Sequence, residues 1–215
     1  MRIIRIRFSK RDEAAYISHL DLQRVMARAL RRSGLPVWYS QGFNPHIYLS
    51  FSLALPLMQQ SEAETVDCKT ESERQSFEEY LGPLNEALPK GIKALQIAEP
   101  VYAASEIAFA EYSLVYDAPP EKLAEWAAAY AKLPKAEVLR KTKRSEQITD
   151  LKQYADTLPV DGEQRAFTLL LPAGSRLNIN PELVAEFLCE ASLCPVRPQY
   201  ILRRQVYTEN IDIFR

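Results

Sequence analysis

The order of strand-like and helix-like segments constrains the fold most, because the same order occurs twice along the chain. Ile4, Ile6 and Phe8 alternate with basic residues at the period of two that is typical of a half-buried strand. From there, residues 1–98 read strand, helix, strand, strand, helix, strand, and residues 108–215 repeat this order more weakly. We therefore predict an α+β protein made of two tandem ferredoxin-like β-α-β-β-α-β units with antiparallel sheets.

The predicted domain boundaries follow from the same pattern. Residues 1–98 form the first domain, residues 99–107 form a linker rich in small residues, and residues 108–215 form the second domain. The segments predicted after the first strand are helix 18–33, strands 37–39, 47–55 and 64–69, helix 71–88 and strand 92–98, then strand 112–116, helix 120–133, strands 137–143 and 166–171, helix 181–191 and strand 199–207.

The composition is typical of a globular cytoplasmic protein. The N-terminus has no continuous apolar run of the signal-peptide kind, and no stretch approaches the roughly 20 apolar residues of a membrane span. Cys68, Cys189 and Cys194 lack zinc-type spacing, so we expect free thiols in a reducing compartment. The sequence thus predicts no metal site, no cofactor and no membrane contact.

The net charge of −1 conceals a basic N-terminal part. Residues 1–60 carry nine basic and three acidic side chains, whereas residues 61–135 carry seven basic and fourteen acidic ones. Such asymmetry indicates an anionic partner such as RNA, a nucleotide or an acidic protein surface. The alternative is that the basic part faces the acidic part within the fold.

Both histidines of the chain lie in the polar window 16–57. His19 and His46, with a carboxylate such as Asp21 or Glu64, could share acid–base chemistry. Metal binding by the same side chains is an alternative, to which we assign no residues. Each histidine could equally be a capping or packing residue.

The stretch from residue 40 to 46 is a candidate ligand-binding loop. Gly42 permits close backbone approach, Asn44 offers both a donor and an acceptor, and Ser40 and Gln41 add further hydrogen-bonding groups. An ordinary hairpin connection would use the same residue types for their backbone angles.

Arginines form a basic face on the predicted helix 18–33. Arg24, Arg28 and Arg31 lie opposite its apolar face, with Arg32 at the flank. They could bind phosphates, or they could form a solvated helix face. The aromatic residues that lie close by in sequence, and on which bases might stack, are Trp38, Tyr39, Phe43 and Tyr48. Residues 140–144 form a second basic cluster that could extend this track or could be a solvated turn.

The window resembles a bacterial domain family of unknown function, the radical-SAM-linked proteins. The matching strings are SHLDL from Ser18, RALRR from Arg28, GLP from Gly34, YSQGFNPH from Tyr39, SF at Ser50 and ALPL from Ala54. The chain departs from the family at Ile47, where a second proline is frequent, and at Met58, where glycine is frequent.

The resemblance implies association with a radical-SAM protein, which would itself carry the iron–sulfur cluster and the S-adenosylmethionine. The leading interpretation is a module that binds tRNA or rRNA, or presents substrate, for a radical-SAM RNA-modification system. A metal-independent RNA-processing nuclease or transferase using His19 and His46 is the first alternative, and a protein-docking adaptor is the second. GxGxxG, Walker, GxSxG and HExxH motifs are absent.

Overall fold

The computed structural model describes residues 1–74, 76–141 and 146–215. This part of the chain contains four α-helices and mostly antiparallel strands, which confirms the predicted α+β class. It forms two compact units, residues 1–107 with 212–215 and residues 108–211. Among the helices of the described residues, none combines the length and apolar character needed to cross a membrane.

The first unit has four strands and two helices. They are β1 (Arg2–Lys10), α1 (His19–Ser33), β2 (Leu49–Phe51), β3 (Gln60–Thr70), α2 (Leu81–Ala87) and β4 (Ile92–Ala98). The strand order is β4-β1-β3-β2, and each neighbouring pair is antiparallel. The two helices therefore connect strands that are not adjacent in the sheet.

The core of the first unit lies between this sheet and the apolar face of α1. Ile4, Ile6 and Phe8 on β1 are completely buried, as the period of two predicts. Met26 and Leu30, one turn apart on α1, are also completely buried in the same cluster. The burial fixes α1 on one face of the sheet and directs its basic residues to solvent.

The second unit repeats the strand order of the first and adds a hairpin. Its elements are β5 (Ile107–Val115), α3 (Pro120–Ala131), β6 (Glu137–Lys141), β7 (Glu146–Asp150), β8 (Val160–Asp161), β9 (Ala166–Pro172), α4 (Glu182–Glu190) and β10 (Tyr200–Thr208). Strands β10-β5-β9-β8 are neighbours in that order. Strands β6 and β7 form a separate two-stranded sheet.

The predicted strand 137–143 is therefore misplaced in the predicted topology. Its residues 137–141 form β6 of the separate hairpin, and residues 142 and 143 lie outside the described residues. We predicted it as the second strand of the unit's sheet, but that strand is β8, which is two residues long. A strand this short leaves no alternating pattern in the sequence.

The predicted helix 71–88 is too long, because α2 covers only Leu81–Ala87. Hydroxyl side chains hold the preceding chain in turns: the Thr70 and Ser76 hydroxyls accept hydrogen bonds from the backbone N–H groups of Ser72 and Glu78 at 3.0 and 3.3 Å. Such local bonds compete with helical hydrogen bonding. The strand predicted over residues 47–55 is likewise shorter, with β2 limited to three residues.

The last four residues belong to the first unit rather than to the second, where the predicted domain boundary put them. The buried Arg5 guanidinium donates two hydrogen bonds to Asp67, at 2.6 and 2.8 Å, and one to the Arg215 carbonyl oxygen at 3.2 Å. It also lies 4.4 Å from the centre of the Phe214 ring. These contacts span the full length of the chain, so no local pattern predicts them. Whether residues 1–98 and 108–215 fold as independent domains stays a prediction.

Candidate functional site

Helix α1 begins and ends where the sequence predicts. The Ser18 hydroxyl accepts a hydrogen bond from the Asp21 backbone N–H at 3.2 Å, which makes Ser18 the N-cap. Gly34 ends the helix in the left-handed conformation, with φ of +74°. The Ser18 hydroxyl also bonds to the Asp21 carboxylate, and this bond, with Arg24 beside it, lowers the pKa of Asp21.

The four predicted phosphate-binding arginines differ in the contacts that their guanidinium groups make within the protein. Arg24 forms an exposed ion pair with Asp21 at 2.9 Å. Arg31 lies 6.0 Å from the centre of the Tyr39 ring, and Arg32 donates to a backbone carbonyl of α2. Arg28 is exposed and has no hydrogen bond or ion pair to the described residues. Exposed ion pairs contribute about 0–1 kcal/mol, so Arg24 also remains available to a ligand.

A narrow hairpin-like segment leads from α1 to β2. Single bridges join Val37 to Thr70 and Tyr39 to Ile47, so the strand predicted at residues 37–39 is reduced to isolated pairs. Beyond the second bridge, the backbone N–H of Ser40 donates to the carbonyl oxygen of His46 at 2.9 Å. Residues 40–46, which we call loop 40–46, therefore project from a closed base.

His46 is part of this closed base. Its backbone N–H donates to the Ser40 hydroxyl at 3.0 Å, and its Nδ1 lies 2.8 Å from the same oxygen. One hydroxyl can accept the first bond and donate the second, which would leave Nε2 of His46 for a ligand. Gln41, Gly42 and Asn44, at the tip, are exposed, and Gly42 has the positive φ of +128° that glycine tolerates.

A cavity of about 310 Å³ lies between α1 and the chain that enters β2. Gln23 and Arg24 of α1 line one side, and His46 and Tyr48 line the other. The Gln23 side-chain nitrogen lies 3.0 Å from Nε2 of His19 and, since an amide nitrogen only donates, His19 accepts this bond. Gln23 thus connects His19 to the cavity that His46 lines.

His19 is the first residue of α1 and packs on β2. Its ring lies 5.1 Å from the centre of the Phe51 ring in an edge-on arrangement. This contact and the bond to Gln23 account for its orientation. The capping or packing alternative thus describes His19 in part, while the imidazole itself is exposed.

The structure places Glu64 away from solvent. Glu64 is 2% exposed on β3, opposite Phe8 of β1. Near it lies the buried Lys10, whose pKa is lowered by burial and raised in part by the charge of Glu64. The predicted ligand-binding role of Glu64 therefore lacks the necessary access, and a charge balance with Lys10 explains the residue better.

A family model matches residues 3–181 of the chain, and the family is DUF2344, described as an uncharacterised protein conserved in bacteria. The chain belongs to the DUF2344 family. The match includes all of α1, loop 40–46 and the cavity between them. A search of curated proteins found no significant match.

Sequence reasoning missed Gln23 and Lys69 in this part of the DUF2344 domain. Gln23 carries a detectable signal, because it follows His19 by four residues and therefore lies on the same helix face. Tyr48, one of the four aromatic residues that the sequence offers for stacking, also lines the cavity. Lys69 of β3, whose ammonium lies 4.6 Å from the centre of the Tyr48 ring, could be found only once the strand pairing was known.

The described residues hold no group of three histidine, cysteine or acidic side chains that could bind a metal. The three cysteines are free thiols, and burial raises the pKa of Cys68 to about 12. In the second unit, a cavity of about 390 Å³ next to the β6–β7 hairpin is lined by side chains of both charges, including Glu137 and Arg140. Residues 142–144 of the predicted basic cluster lie outside the described residues.

Proposed function

We propose that the protein binds RNA, either tRNA or rRNA, through the exposed side of α1, the adjacent cavity and loop 40–46, which together we call the α1–loop surface. We further propose that it serves a cytoplasmic radical-SAM RNA-modification system as an accessory or substrate-presenting module. In that system the iron–sulfur cluster and the S-adenosylmethionine would belong to the partner protein.

The observation that carries the proposal is the position of Arg24 and Arg28. Both are exposed on α1, Arg28 has no partner within the described part of the chain, and Arg24 lines the cavity together with His46. Phosphate binding needs such available cations, and base recognition needs polar and aromatic groups close by. Residues 34–61 contain no acidic residue that would repel a phosphate.

We also propose that the two units are ferredoxin-like and arose by duplication. The strand orders β4-β1-β3-β2 and β10-β5-β9-β8 correspond element by element once the β6–β7 hairpin is set aside. This correspondence supports the proposal. Since fold alone does not assign function, the RNA proposal rests on the side chains of the first unit.

The test is RNA binding by the wild-type protein and by an Arg24→Ala/Arg28→Ala variant across a salt series. Each phosphate contact that is lost should reduce the slope of log affinity against log salt by about 0.7 for single-stranded RNA. We expect the double variant to bind more weakly and with a slope reduced by about 1.4 if both side chains bind phosphate.

The matched control is Arg176→Ala/Arg197→Ala, which removes the same charge from exposed positions of the second unit. This variant should bind RNA as the wild-type protein does. Binding that does not depend on salt, or an equal loss in both double variants, would contradict the proposal.

RNA cleavage or group transfer by His19 and His46 is a second candidate, favoured by one observation. Gln23 lines the same cavity as His46 and bonds to His19. Under this proposal His19→Ala and His46→Ala should abolish turnover of RNA while binding persists. Full activity in both variants would refute it.

An adaptor role is favoured by exposed apolar side chains beside the start of α1. Tyr16, Leu57 and Met58 are 70%, 57% and 62% exposed, and the Met58 backbone N–H bonds to the Ala15 carbonyl oxygen. Exposed apolar groups held together in this way suit a protein contact. We expect a radical-SAM protein to co-purify with the wild-type protein even after nuclease treatment. This co-purification should be lost in a Tyr16→Ser/Met58→Ser variant.

A further inference from the structure

We infer that Phe43 stacks on an unpaired base, so that the protein selects single-stranded segments of RNA over duplex. This inference rests on the proposed RNA binding and specifies which form of RNA the α1–loop surface takes. Three observations support it: Phe43 is exposed, the neighbouring aromatic rings already contact cationic side chains, and hydrogen bonds hold the base of loop 40–46.

Phe43 has a relative exposure of 106%, so both faces of its ring are open to solvent. A large apolar side chain at the tip of a polar loop contributes nothing to a core. Every nucleobase has a π face, and a free aromatic ring can stack on it without selecting a sequence.

The other aromatic side chains of the segment already have partners. The Lys69 ammonium lies 5.4 Å from the centre of the Trp38 ring and 4.6 Å from that of Tyr48. The Tyr39 ring faces the Arg31 guanidinium at 6.0 Å. Among the aromatic residues of this segment, Phe43 is thus the one whose ring makes no contact with the described part of the chain.

The base of the loop is fixed before any ligand arrives. Ser40 and His46 are joined by backbone and side-chain hydrogen bonds, and the next residue, Ile47, is 6% exposed in the core. Pro45 restricts the backbone further. A loop ordered in advance loses less conformational entropy on binding, so the exposed ring can contribute more to affinity.

The surroundings of Phe43 favour a nucleobase over a pocket of a protein. Gln41 and Asn44, on either side of the tip, can donate to and accept from base edges. The nearest charged side chains along the chain toward α1 are arginines, and residues 34–61 include no carboxylate. In an RNA duplex the bases are stacked internally and the major groove is too narrow for side chains, which leaves unpaired bases as the target.

The test compares a single-stranded 12-nucleotide RNA with the duplex of the same sequence, measured by fluorescence anisotropy. We expect Phe43→Ala to weaken binding to the single strand by roughly tenfold or more. The slope of affinity against salt should stay unchanged, because no charge is removed. Phe43→Trp should retain affinity, and Ile148→Ala, an exposed apolar residue of the second unit, should bind as the wild-type protein does.

The outcomes separate this inference from the proposed function. If Phe43→Ala binds as tightly as the wild-type protein while Arg24→Ala/Arg28→Ala loses affinity, RNA binding stands and the stacking role is refuted. An equal loss for single strand and duplex would also refute it, because stacking on an unpaired base predicts a difference. If the wild-type protein binds neither RNA, both the proposed function and this inference fail.

Discussion

Replacing Ser40 by alanine tests whether the base of loop 40–46 is held by its own hydrogen bonds. Ser40→Ala removes the acceptor for the His46 backbone N–H at 3.0 Å and the contact to Nδ1 of His46 at 2.8 Å. A hydrogen bond contributes about 0.5–1.5 kcal/mol net, so the loss of both costs about 1–3 kcal/mol. For a chain of this size each kcal/mol lowers the melting temperature by about 2–4 °C.

Ser40→Ala should also weaken RNA binding. A loosened loop must be ordered again when RNA binds, and ordering the backbone of one residue costs about 1–2 kcal/mol. Since about 1.4 kcal/mol corresponds to a factor of ten in affinity, Ser40→Ala should bind RNA roughly tenfold more weakly. Thermal denaturation and RNA titration of the same preparations measure the two effects.

Ser40→Thr is the matched control because it keeps the hydroxyl group. It should restore most of the melting temperature and of the affinity. If Ser40→Ala melts and binds like the wild-type protein, the Ser40 and His46 contacts do not order the loop, and preorganisation of Phe43 loses its basis.

Three further variants test the geometry elsewhere in the first unit. Gly91→Ala should destabilise the protein strongly in chemical denaturation, because φ is +83° and an added Cβ would lie 2.6 Å from the Arg11 carbonyl oxygen. Burial in the folded protein raises the pKa of Cys68 from its usual 9.0 to about 12. The neutral thiol therefore contributes its full share to stability below pH 9, and this contribution is lost as the pH rises toward 12. Cys68→Ala should lose less stability than the wild-type protein over that pH range in chemical denaturation. Asp21→Asn should increase RNA affinity in titrations at low salt, because it removes a negative charge and releases Arg24.

The sequence predicted α1 well because the signals that define it are local. Ser18 caps the helix and Gly34 ends it, and each acts on residues within one turn. The predicted helix 71–88 failed for the same kind of reason, since hydroxyl groups such as that of Ser72 form short-range bonds that apolar periodicity does not reveal. Local chemistry thus explains both the success and the error.

Long-range contacts explain what the sequence could not supply. Arg5 binds Asp67 and the carbonyl oxygen of Arg215, residues that only the completed fold brings together. In the same way, the cavity between Gln23 and His46 depends on how α1 lies against the chain entering β2. The sequence could place the polar residues in one window, but it could not tell which of them face a shared space.

The structure separates the polar residues of the window by what the fold requires of them. Ser18 caps α1, Ser40 closes the loop base, and Glu64 is buried near Lys10, so folding accounts for these side chains. Arg28 is exposed, Phe43 is fully exposed, and neither forms a hydrogen bond, ion pair or ring contact with the described residues. A cation suited to phosphate and a ring suited to a base are therefore left free on the same unit, and this pairing is the strongest physical argument for RNA as the ligand.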